Sequence, residues 1–173
     1  YPIDIPDINF RLGMDLILLD TPARSIAQMP VGFGYVHNAL KKTGIKFQTV
    51  DTDIIIYHRY HSHRILDGAS EIITPGGHVM PEDPWQPVHY LEWTNQDVIE
   101  YFRSDIDEIV NGLIKARPKV LGLSLQQVNI CFAREVVKGV LKGLPDITIL
   151  VGGMSCYQPK VGRKVFPKAH YMI

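Results

Sequence analysis

The sequence predicts an α/β fold, an open parallel five-stranded sheet with helices on both faces. Three observations predict it. Short apolar runs recur along the chain, as in DLILL, KVLGLSL and ITILV, and such runs suit strands buried on both faces. Between them lie stretches whose apolar residues fall at helical spacing. Strand and helix alternate, as expected for a parallel sheet with crossover helices.

The elements follow in order. Asp15 to Leu19 reads as the first strand, followed by the turn-rich DTPARSIAQMPVG. Val31 to Thr43 carries Val36, Ala39 and Leu40 at helical spacing, with Gly44 placed as a C-cap. Ile45 to Val50 alternates and reads as the second strand. Asp53 to Leu66 reads as helical. Residues 67–93 are rich in Pro and Gly and are expected to form an irregular insertion outside the central sheet. Pro75-Gly76-Gly77 could turn a small hairpin between EIIT and HVM.

Thr94 and Asp97 resemble a capping box. A long helix follows, marked by Val98, Ile99, Phe102, Ile106, Ile109, Val110 and Leu113 and stopped by Pro118. Lys119 to Leu125 reads as the third sheet strand, Asn129 to Leu144 as a helix, and Ile147 to Val151 as the fourth strand. Tyr157 to Phe166 reads as a short helix and Ala169 to Ile173 as the fifth strand. The expected strand order is the flavodoxin-like 2-1-3-4-5.

Composition narrows the function classes. At 173 residues one domain is expected. Lys+Arg and Asp+Glu are both 18, so there is no basic footprint for nucleic acid or an anionic membrane. No apolar run is long enough to span a bilayer, and the start lacks the basic region and apolar core of a signal peptide. Two cysteines, Cys131 and Cys156, point to a reducing cytoplasm and are too few for a cysteine-held cluster. The start at Tyr1 and the end at AHYMI read as those of a fragment of a longer protein.

In open parallel sheets, ligands bind outside the carboxyl ends of the strands. Three loops would converge there: LDTPARSIAQMPVGFG, LQQVN and GGMSCY. Their residues are small, amidic or hydroxylic, and none forms a nucleophile–base pair. This is a surface for holding a large ligand. Gly152-Gly153 serves either a tight turn, through glycine's access to positive φ, or clearance for that ligand. Ser124 could cap a neighbouring backbone group. Asn129 could be an N-cap, a ligand contact, or both.

Several motifs together resemble a known family. They are PVGFGYV at Pro30 to Val36 with Leu40 and Gly44, VD at Val50-Asp51, VLGLS at Val120 to Ser124 with Asn129, and VGG at Val151 to Gly153. In order and spacing these are similar to the cobalamin-binding domain that precedes the radical S-adenosylmethionine domain in many enzymes. The resemblance implies a corrin ring over the strand ends. It implies a cofactor site at Thr21, Pro22, Met29, Val31, Gly32, Ser124, Leu125, Gln126, Asn129, Gly152, Gly153, Met154 and Ser155. The partners it implies are cobalamin and a C-terminal radical domain carrying an iron–sulfur cluster and S-adenosylmethionine. The substrate would be selected by that further part.

The departures from relatives are informative. Cobalamin mutases and methionine synthases carry D-x-H-x-x-G after the first strand, and its His binds cobalt. Here Asp20 to Ser25 reads DTPARS and holds no histidine, and Gln126 stands where an S-x-L element needs an apolar residue. The resemblance therefore implies base-off cobalamin with no histidine ligand. His37, the nearest histidine, falls inside the first predicted helix. The cysteine triad of the radical domain is absent, so this chain alone is not expected to catalyse that chemistry. Cobalamin loss, leaving a flavodoxin-like scaffold or interaction domain, is the alternative. A flavin or nucleotide site is disfavoured because no glycine-rich phosphate loop opens the first helix. His58, His61 and His63 are read as a solvated, aromatic-rich surface, since no third ligand with a carboxylate accompanies them.

Overall fold

The computed structural model describes residues 5–26, 30–66, 68, 71–156 and 159–173, apart from the side chains of Ser155, Pro159 and Val161. Its central sheet holds five parallel strands: β1 (Leu16–Asp20), β2 (Phe47–Asp51), β5 (Val120–Ser124), β6 (Thr148–Gly152) and β7 (Tyr171–Met172). They lie in the order β2-β1-β5-β6-β7. Without the separate hairpin strands β3 (Ile72–Ile73) and β4 (Val79–Met80), this is the expected 2-1-3-4-5. The order makes β1, β5 and β6 the interior strands, where continuous apolar runs belong.

Alternation along the strands gives the sheet two unlike faces. Ile17, Leu19, Leu121, Leu123, Ile149 and Val151 lie on one face and enter the core. Helices α4 (Arg103–Ala116) and α5 (Ile130–Gly143) cover that face. Their inward residues Ile109, Leu113, Phe132, Val136 and Val140 are fully buried, at about 1.5–3 kcal/mol each for a large apolar side chain. Ile56 and Tyr60 of α2 (Thr52–Leu66) join the same core. The opposite face carries Leu18, Gly122 and Leu150, paired across the strands. A Cβ at Gly122 would run into Leu18, so the glycine lets that leucine lie flat on the sheet. Helix α1 (Val31–Leu40) lies over this face and buries no residue completely.

The long helix expected after Thr94 is two helices. α3 (Gln96–Tyr101) meets α4 at Phe102, whose φ of −88° and ψ of 17° interrupt the helical run. Phe102 is buried among the rings of Tyr101 and Trp93, and this packing overrides the continuous helical periodicity. The cap is Asn95, one residue later than expected. Its Oδ1 accepts from the Asp97 N–H at 3.0 Å. Thr94 belongs to the preceding 3-10 turn, and its hydroxyl donates to the Leu91 carbonyl instead.

The Pro- and Gly-rich segment stays outside the central sheet and is better anchored than its composition predicts. Pro75-Gly76-Gly77 turns the antiparallel β3–β4 hairpin, with Gly77 at φ +87°. Trp85 and Trp93 then bury themselves in the core, their ring centroids 5.0 Å apart. Trp93 stacks on Phe102 at 5.1 Å. The short helix α6 (Pro159–Val165) precedes β7. Among the described residues, no helix is long and apolar enough to cross a membrane.

Candidate functional site

The carboxyl ends of the strands come together in register. Asp20 of β1 lies beside Asp51 of β2 and Ser124 of β5, and Ser124 lies beside Gly152 of β6. A cavity of about 440 Å3 opens between this edge and α1. Leu18 and Leu150 line it from the sheet, Ile173 from just past β7, and Val31, Phe33 and Val36 from the helix. Asp20 and Arg24 line it too. The size is typical of a small-molecule site, with apolar walls and few polar groups.

Of the residues expected from the sequence, the cavity brings together Val31, Gly32, Ser124, Leu125, Gln126, Gly152, Gly153 and Met154. Thr21, Pro22 and Asn129 are buried and do not line it. Met29 lies outside the described residues, as does the side chain of Ser155.

Asn129 is a clip within the protein. Its Oδ1 accepts from the Gln126 N–H at 2.9 Å, and its Nδ2 donates to the carbonyls of Ser124 at 2.9 Å and Thr21 at 3.3 Å. These bonds tie the loop after β5 to the loop after β1. With 1% exposure, the side chain has little capacity left for a ligand.

Gly153 answers to the backbone. It stands at φ +110°, and a Cβ there would lie 2.5 Å from the Leu125 carbonyl oxygen. The turn and the close approach of Leu125 both require glycine, before any ligand is considered. Gly152 is looser. Its Cβ would meet the Ile173 carbonyl at 3.4 Å, on the rim of the cavity.

The inner end of the cavity carries a charge network absent from the sequence expectations. Arg24, 5% exposed, donates through Nε to Asp20 Oδ2 at 3.1 Å and through Nη2 to Asp51 Oδ2 at 2.8 Å. The same Nη2 stands 3.6 Å from Asp53 Oδ2. Asp53 Oδ1 accepts from the Trp85 indole at 2.6 Å. Asp20 Oδ1 and the Thr21 hydroxyl are buried without a hydrogen-bond partner among the described residues.

Burial pushes Asp20 up to about 6, with Asp51 adding to the rise and Arg24 opposing it. Burial pushes Asp53 up to about 8, against the Trp85 hydrogen bond and the Arg24 charge. One guanidinium thus serves several carboxyls in a desolvated place. The i, i+4 spacing of Asp20 and Arg24 and the DTD at Asp51 to Asp53 were the available sequence signals.

The histidines stand elsewhere. His37 Nδ1 shares a 2.9 Å hydrogen bond with Thr49 Oγ1, and its ring meets Phe47 edge-on. His61 packs among Tyr57, Tyr60 and Trp85. Among the described residues, no group of three or more His, Cys, Asp or Glu is placed to hold a metal ion.

No protein-family model matches the chain, and no curated protein or solved structure does.

Proposed function

We propose that this domain holds cobalamin at the carboxyl ends of β1, β5 and β6, as the cofactor-binding part of a radical S-adenosylmethionine enzyme. The observation that carries the reading is the cavity between α1 and the open sheet face, at the strand ends. Its residue types fit the group. A corrin is wider than the cavity and would lie across its mouth, over the small residues Gly32, Ser124 and Gly152. The apolar interior, walled by Leu18, Val36 and Leu150, suits the nucleotide tail with its flat base. When bound, cobalamin supplies cobalt-centred methyl or radical chemistry, and this chain's residues bind and orient it.

No histidine is among the residues lining the cavity, and His37 is engaged with Thr49. Together with the family resemblance, this supports a cofactor held base-off, without a protein imidazole on cobalt. The iron–sulfur cluster and S-adenosylmethionine belong to a C-terminal radical domain, the partner of this one. Cys131 and Cys156, both free thiols, fit a cytoplasmic place.

The test is reconstitution with hydroxocobalamin, removal of free ligand, and spectra of the retained corrinoid. Retained corrinoid with a base-off visible spectrum, and a Co(II) paramagnetic resonance spectrum without axial nitrogen splitting, is the expected result. A protein that retains no corrinoid would leave the scaffold reading in its place. Nitrogen splitting would refute the ligand-free cobalt.

A further inference from the structure

The polar end of the cavity is unlike its walls. Asp20 is 1% exposed and lines the cavity, and its Oδ2 accepts from the Arg24 Nε at 3.1 Å. Its Oδ1 has no hydrogen-bond partner among the described residues. A buried carboxylate oxygen left without a donor is costly, and native proteins rarely leave one unmatched. Arg24 is committed to the carboxyls around it, through Nε to Asp20 and Nη2 to Asp51, with Asp53 3.6 Å from the same nitrogen. The charges around Asp20 are thus Arg24 on its own loop, Asp51 at the end of β2 and Asp53 in the first turn of α2. Carboxyls outnumber the guanidinium. This end repels a phosphate or a carboxylate and favours a group that donates a hydrogen bond.

We propose that Asp20 Oδ1 accepts a hydrogen bond from a ring N–H of a heterocyclic base inserted between α1 and the sheet, making Asp20 the residue that recognises the inner end of the ligand. The apolar walls suit the flat ring, and the carboxylate meets its nitrogen. The inference rests on the cobalamin reading for the identity of that base, the benzimidazole of the nucleotide tail. Once off cobalt, the ring nitrogen has a free lone pair. One proton taken from solvent binds that lone pair, and the resulting N–H donates to the carboxylate. In the same step the cobalt–nitrogen bond of the free cofactor would break, and solvent water would take the vacated position on cobalt. The raised pKa of Asp20, about 6, is consistent with a site that shares a proton near neutrality. The tail phosphate stays at the mouth, away from Asp51 and Asp53.

The experiment compares hydroxocobalamin with cobinamide, the same corrin without its nucleotide tail. Affinities are read by spectral titration for the wild type and Asp20→Asn. Proton uptake by the wild type is read by calorimetry in two buffers of different protonation heat. The preference of the wild type for cobalamin over cobinamide also carries the burial of the ring and the loss of its bond to cobalt, so the role of Asp20 is read from the variant. Asp20→Asn should lower that margin about tenfold, the scale of a charge-assisted hydrogen bond, and leave cobinamide affinity unchanged. The wild type should take up about one more proton with cobalamin than with cobinamide. Equal proton uptake by the two ligands overturns the proposal even if the variant does not fold. So does an Asp20→Asn protein that keeps the full margin. A wild type that binds neither corrinoid overturns the cobalamin reading itself, and an Asp20→Asn protein with an unchanged margin overturns only the role of Asp20.

Discussion

Replacing Asp53 by Asn should flatten the dependence of stability on pH. Asp53 is fully buried, and its pKa is raised from 3.8 to about 8. Between those values the folded protein keeps a proton that the unfolded chain has lost. Stability contributed by this group is present in full below the unfolded value and is lost as pH rises towards 8. Each pH unit inside the window is worth about 1.4 kcal/mol. From pH 6 to pH 8 the wild type should therefore lose about 2–3 kcal/mol that the variant keeps. Asn can still accept the Trp85 indole through Oδ1 and carries no charge to desolvate. Asp20 acts with the same sign, but its window closes near 6, so it adds little above that pH. The assay is urea unfolding at the two pH values, followed by tryptophan fluorescence. Parallel stability–pH profiles for wild type and variant would refute the reasoning, because they would mean that Asp53 ionises in the folded state without penalty.

Two further substitutions test the frame of the site. Gly153→Ala puts a Cβ against the Leu125 carbonyl and forces φ +110° on an L side chain; it should cost about 2–4 kcal/mol in urea unfolding, and a cost below half of the lower figure would contradict the geometry. Asn129→Ala strands the Gln126 N–H and the carbonyls of Ser124 and Thr21; a loss of about 2–3 kcal/mol is expected, with faster hydrogen exchange at Gln126 as its local sign.

The sheet was legible because its information is local. Runs such as DLILL and VLGLS state both strand and burial, and Pro75-Gly76-Gly77 announces its turn within a few residues. The positions that line the cavity were named through the family resemblance, and the strand runs before Ser124 and Gly152 account for the loop positions at the sheet edge but not for Val31 and Gly32 in α1. What escaped the reading depends on tertiary contact. Arg24 meets Asp51 across 27 positions of sequence, and no spacing rule links them. The break at Phe102 follows from ring packing, which helical periodicity does not register. Asn129 was correctly placed at the strand ends, but whether its amide faces a ligand or three backbone groups depends on where the Thr21 loop lands. The unmatched oxygen of Asp20 is a property of the finished fold alone.

The buried tryptophans link the insertion to the site. Trp85 is held from two sides: its ring packs against Trp93 and Phe102, and its indole N–H reaches Asp53. Asp53 stands beside Arg24, and Arg24 holds Asp20 at the cavity. A chain of contacts thus runs from the insertion to the inner end of the cavity, through groups with 5% exposure or less. In such a desolvated place charge is expensive, and removing one partner leaves another uncompensated. If Trp85 withdrew, Asp53 would lose a donor that stabilises its charged form. Arg24 would then face a different balance between Asp53 and Asp20. By fixing Trp85, the insertion supplies Asp53 with a hydrogen-bond donor beside the Arg24–Asp20 pair at the polar end of the cavity.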